Sequence, residues 1–105
     1  MKVRNYLPLF QLLVHSTDEQ RAALLKTLTS LQLRAVLEAI YNVLRGTCPI
    51  KDKDKKKLER YKNVIRRLVS KELSRQQQQR LLSKYRHVLP LVLIPVLEAW
   101  KNVKR

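Results

Sequence analysis

Residues 29–46, TSLQLRAVLEAIYNVLRG, decide how this 105-residue chain is read. Apolar side chains recur at Leu33, Val36, Leu37, Ile40, Tyr41 and Leu44, a three-and-four spacing held over three turns of helix. Thr29 or Ser30 stands where such a helix opens. Arg34 and Glu38, four residues apart, fall on the other side. Gly46, the chain's single glycine, lies where a left-handed helix stop belongs, and Pro49 keeps the helix from resuming. A helix with one apolar side has to bury it, so the flanking segments must supply apolar faces to meet it.

Both flanks do so. Toward the N-terminus, Tyr6, Leu7, Leu9, Phe10, Leu13 and Val14 cover one side of a helix over 5–15, with Pro8 in the first turn, where a missing N–H costs little. Ser16 and Glu19 have capping-box spacing and open a second helix that runs to about Leu28, burying Ala22, Leu24, Leu25 and Leu28. Met1 to Arg4 followed by Leu7 to Val14 has the basic-then-apolar order of a signal peptide. Pro8 and Gln11 interrupt the run, however, and no small-residue cleavage site precedes Asp18, so it reads as a helix.

Toward the C-terminus, Leu58, Tyr61, Val64, Ile65, Leu68 and Val69 share one stripe, which predicts a single helix over 52–70, about 28 Å long. Asp52 and Asp54 sit at its start and favour the helix dipole. Ser74 to Gln77 repeats the capping-box spacing and opens a helix toward Tyr85, with Gln76 to Gln79 as a solvated face. The segment from Val88 to Trp100 is densely apolar. Pro90 fits its start, and Pro95 is expected to kink it or split it in two. Lys101, Lys104 and Arg105 follow as a closing run of positive charge. No segment reaches the roughly 18 continuous apolar residues of a spanning helix. Core, dimer contact and membrane segment are the readings open for 88–100, and core is preferred because the segment is short and has no wide polar face. The expectation is an all-α chain forming one domain over 1–105, a compact bundle of five to six short helices, with flexible ends at 1–4 and 101–105.

Charge carries the functional reading. The chain has 23 Lys and Arg against 8 Asp and Glu, a net charge of +15. Self-repulsion on that scale opposes folding, so its retention points to an acidic partner: nucleic acid first, an acidic protein surface second, an anionic membrane third. Ten of the 23 basic residues fall within 51–71. Lys55, Lys56, Arg60, Lys62, Arg66, Arg67 and Lys71 occupy the arc that the apolar stripe leaves free, with few acids to balance them, and are the candidate phosphate contacts. Tyr41, Tyr61 and Trp100 lie on apolar stripes, which leaves few aromatics to stack on bases and gives no expectation of sequence-specific readout or of DNA over RNA. The helices on either side of Gly46 to Ile50 can also be drawn as a helix-turn-helix, a pairing easily found in helical chains.

Catalysis finds no footing. His15 and His87 have no cysteine or carboxylate at a spacing that would orient them. A lone Cys48 makes neither an internal disulfide nor a zinc site, and it fits a reducing compartment. One glycine cannot build a phosphate-binding loop, and the lysines around Asp52 and Asp54 disfavour a metal cation there. The expectation is therefore a binding protein with no enzymatic activity, no cofactor and no metal.

From Arg21 to Leu82, about three-fifths of the chain, a further pattern runs in order: Asn42-Val43-Leu44-Arg45-Gly46, Pro49-Ile50, Lys56-Lys57-Leu58, Arg60-Tyr61-Lys62, Ile65-Arg66-Arg67-Leu68, Lys71, Ser74 and Leu81-Leu82. In these residues the chain resembles small basic proteins of Polinton/Maverick-type elements and adintovirus-like DNA viruses of animals. The resemblance implies a viral or mobile-element origin, a role at the virion or its core, and a location in the host nucleus or the virion with no secretion. It departs from that family at Arg75 to Arg80, where four glutamines stand in place of lysines, and at Lys84 to His87, where a glycine pair is usual.

Overall fold

Three helix starts among the described residues are capping boxes, at Thr17, Thr29 and Ser74. In the computed structural model, the backbone is described for residues 3–46 and 50–103 and the side chains for 4–46 and 50–100. Thr17, Thr29 and Ser74 each accept from the backbone N–H three residues on, while Gln20, Gln32 and Gln77 return a side-chain carbonyl to the capping residue's own N–H. These open α2 (Asp18–Lys26), α3 (Ser30–Leu44) and α6 (Arg75–Lys84). Ahead of them lie a 3-10 helix, Val3–Tyr6, and α1 (Leu7–His15), with Pro8 in its first turn as expected. The box that opens α2 is shifted by one residue from the Ser16–Glu19 pairing, because glutamine serves as well as glutamate at the third position. Ser16 instead donates to the carbonyl of Leu12 at the end of α1.

The chain is all-α, with seven α-helices among the described residues where five to six were expected. The difference lies in 52–70. There α4 (Asp52–Glu59) and α5 (Lys62–Leu68) are separate, and Tyr61 between them has φ −110° and ψ 9°. No proline or glycine causes the break. Tyr61 instead turns edge-on toward Tyr85 and His87, with ring centroids 6.5 and 5.4 Å away. This turn lets Ile65 and Leu68 enter the core while α4, which buries no residue, is left against it through half-buried Leu58. Conversely, Pro95 does not divide the last helix: α7 runs unbroken from Leu89 to Val103, after a 3-10 helix over Arg86–Val88. Its packing on α1 and α3, the most extensive helix pairs in the fold, offsets the roughly 3 kcal/mol that an internal proline costs.

The core sits between α1, α3 and α7. Phe10, Leu13, Leu33, Val36, Ile40, Leu89, Val92, Leu93 and Val96 are all buried. The apolar segment 88–100 is thus chiefly core, with Ile94 left exposed. No helix is long and apolar enough to cross a membrane among the described residues. Around α3 the burial is wider than the predicted stripe. Ala35, Ala39 and Val43 are also buried, because α3 is covered by the N-terminal 3-10 helix, α5 and α7. Tyr41 leaves the stripe and is exposed. On α2 only Leu25 is buried among the four expected; Ala22, Leu24 and Leu28 are half-buried or less. Gly46 closes α3 at φ +79°, as its position predicted. The expected roles of Cys48 and Pro49, the turn of the drawn helix-turn-helix, residues 1–2 of the N-terminal end and the closing charges at 101–105 lie outside the described side chains. The radius of gyration is 12.8 Å, the value of a compact globule of about this length.

Candidate nucleic-acid interface

The break at Arg60–Tyr61 rearranges the basic residues that a straight helix would have aligned. Lys55 and Lys56 are exposed on α4, where Lys55 Nζ lies 4.0 Å from Asp52 Oδ1. Arg60 is exposed at the break itself. On the short α5, Ile65 and Leu68 face inward, so Lys62 and Arg66 flank one side of that apolar edge and Arg67 the other. Lys71 follows in the turn before α6 and is exposed. The seven therefore do not make one face, and four of them are divided among three clefts.

Exposed Lys55 and half-buried Lys62 rim the first, a cleft of about 340 Å³ walled by Val43, Leu44, Ile50, Leu58, Ile65 and Val92, with Glu59 at its edge. Arg67 opens onto the second, about 230 Å³, where it meets Arg80 and Lys84 of α6 over Leu73 and Leu81. Lys71 belongs to the third and largest, about 840 Å³, between α3 and the start of α6. There it joins Arg34 and Arg75, above a floor of Leu33, Leu37 and Val69.

Uncompensated charge is common to the second and third clefts. Among the described residues, ion pairs within 4.0 Å are Lys55–Asp52 and Arg86–Asp18. Arg34, Arg67, Lys71, Arg75, Arg80 and Lys84 form none there, so their guanidinium and ammonium groups are available to an acidic ligand. The Arg86–Asp18 pair is structural. Arg86 Nε and Nη2 donate to Asp18 Oδ1 and Oδ2 at 2.8 and 2.9 Å, and Nη1 donates to the Ser83 carbonyl at 2.8 Å. The hydrogen bond from Arg86 holds the Asp18 carboxyl below the ordinary aspartate range, and the same bond raises Arg86. Arg21 is also withdrawn from any ligand. It is 9% exposed and donates from Nε to the Leu13 carbonyl at 2.6 Å and from Nη2 to the carbonyls of Val14 and Ser16 at 3.2 and 3.0 Å.

Sequence reasoning missed Arg34, Arg75, Arg80 and Lys84 because each lies on a helix other than the one carrying the basic run. It also misplaced Tyr41. Glu38 lies four residues after Arg34, Tyr41 three further on and Arg45 four beyond that, so these side chains form one line along α3, and all four are exposed. The Arg45 guanidinium carbon lies 5.3 Å from the Tyr41 ring centroid. A signal for this line was present in the spacing, but tyrosine counted as apolar concealed it. Of the two histidines, His15 is exposed, and His87 Nε2 is 3.3 Å from the Tyr61 hydroxyl in an aromatic contact. No three of His, Cys, Asp and Glu come together to hold a metal among the described residues. Comparison of the chain with protein-family models, curated proteins and solved structures finds no match.

Proposed function

We propose that this protein binds nucleic acid without sequence preference, through phosphate contacts made by the basic clefts of α5 and α6 and by the lysines of α4. The observation that carries this reading is the set of unpaired cations around the second and third clefts, among the described residues. Neutralising phosphates there releases condensed counterions, a driving force that needs no base contact. Arg60, Arg66 and Arg67 present forked donors suited to phosphate oxygens, and Lys55, Lys56, Lys62 and Lys71 present point charges. The ordered pattern from Asn42 to Leu82 supports placing the protein among accessory or core proteins of a virus or mobile element, acting in the nucleus or the virion.

The test is a salt-titrated binding assay on DNA and RNA. Log affinity should fall linearly with log salt, and removing a phosphate-binding cation should reduce the slope by about 0.9 on duplex DNA. Changing Arg66 and Arg67 together to Glu should weaken binding with helicity unchanged by circular dichroism. No binding to either nucleic acid at low salt would remove the proposal.

One observation favours a second reading. The first cleft combines apolar walls with Lys55 and Lys62 at its rim, a surface that suits an acidic amphipathic segment of another protein. A complex built that way survives nuclease treatment, whereas one bridged by nucleic acid does not.

A further inference from the structure

The third cleft differs from the other two in having an aromatic ring among its lining residues. Tyr41 is 41% exposed and lines the cleft with Arg34, Lys71 and Arg75. None of these three cations has a carboxylate within ion-pair distance among the described residues. The ring is steadied from its own helix by Arg45, one turn on. Glu38 is the one carboxylate among the lining residues, and it lies on the α3 side, one turn before the ring.

We infer that this α3–α6 cleft is a binding site for single-stranded nucleic acid, in which one base stacks on Tyr41 while the strand's phosphates follow Arg34, Lys71 and Arg75. The inference rests on the nucleic-acid reading above and deepens it from phosphate binding to a choice of strand state. The physical reason is access. In a duplex the base faces are covered by their neighbours, so an exposed tyrosine adds nothing to duplex binding; an unpaired base offers a free face to the ring. Every base has such a face, so stacking favours single strands without selecting a sequence. The cleft, about 840 Å³, has three cations among its lining residues, a concentration of charge that suits a phosphate backbone. Glu38 repels phosphate and so opposes a backbone position beside the ring, and the three cations of the cleft outweigh its single charge.

The experiment is fluorescence anisotropy on the full chain with a labelled oligothymidylate, a duplex of equal length and an abasic deoxyribose-phosphate oligomer, all at one salt concentration. Tyr41→Ala should weaken oligothymidylate binding about tenfold or more, the scale of one stacked base, and leave duplex and abasic binding unchanged. Tyr41→Phe should keep the parent affinity, because stacking uses the ring and not the hydroxyl. Glu38→Gln should tighten all three ligands. In a parallel salt titration, Arg34→Glu combined with Arg75→Glu should flatten the slope on the single strand by about 0.7 for each phosphate no longer neutralised. Equal weakening on all three ligands with Tyr41→Ala, or no weakening on the single strand, overturns the inference while the phosphate-binding reading stands. No binding of any ligand at low salt overturns both.

Discussion

At Arg21 a single guanidinium does for α1 what a following glycine does for α3. The last carbonyls of a helix have no partner within it, and those of Leu13 and Val14, with Ser16 just beyond, receive theirs from this side chain one helix later. Replacement by alanine leaves these acceptors without the fork and removes the packed stem, so Arg21→Ala should cost about 2–4 kcal/mol in urea unfolding. Arg21→Lys should recover less than half of that, since one ammonium cannot span three carbonyls. Asp18 sets a pH dependence. Its carboxyl is lowered in the folded protein by the hydrogen bond from Arg86. The pair's contribution is therefore complete above about pH 4 and is lost as pH falls through the lowered folded value. Asp18→Asn should be less stable than the parent at neutral pH, and the gap between their thermal midpoints should close on acidification below about pH 4. A gap that stays constant to about pH 2 would show that the pair does not act through ionisation. Neither role is legible in the sequence, because Arg86 meets Asp18 across 68 residues and Arg21 serves carbonyls of the preceding helix.

Among the helices, stability is distributed unevenly. The capping threonines and serine each satisfy a backbone N–H that would otherwise lack a partner, and Thr29→Ala should cost about 1 kcal/mol. Leu93 on α7 is fully buried, so Leu93→Ala should cost about 2–5 kcal/mol, read from the urea midpoint. By contrast α4 buries no residue and has no side-chain cap. Its amides should exchange with solvent faster than those of α3 and α7, and protection over Asp52–Glu59 equal to that of α3 would show that α4 is held as firmly as the core. That difference in burial bears on the interface: Lys55 and Lys56 lie on a helix with no buried residue, whereas Arg67, Arg75 and Arg80 are mounted on α5 and α6, which pack on each other. Gln78 strengthens that mounting by donating from Nε2 to the Leu68 carbonyl at 3.1 Å, so it ends α5 much as Arg21 ends α1. The glutamine run is thus partly a structural device and not only a wetted face.

For the whole molecule, the net charge of +15 acts on folding as well as on binding. Raising salt from about 20 mM to about 200 mM shortens the Debye length and should raise the thermal midpoint while weakening nucleic-acid binding; a midpoint that falls over this range would refute self-repulsion as a force on the fold. Order along the chain is enough for the all-α class, a helix start at Thr29 or Ser30 and another at Ser74, the left-handed stop at Gly46, and a preference for core over 88–100. These are short-range matters. Capping, the steric freedom of glycine and helical periodicity act within a few residues of chain, so they can be read from order alone. What tertiary structure decided was where α4 ends and α5 begins, whether Pro95 breaks its helix, and which cations share a cleft. Tyr61 is turned by Tyr85 and His87, α7 is held unbroken through its proline by α1 and α3, and Arg34 shares a cleft with Lys71 and Arg75 because α3 and α6 lie alongside the same turn. Each of these depends on residues distant in sequence that become neighbours only when the core closes, and local periodicity carries no record of them.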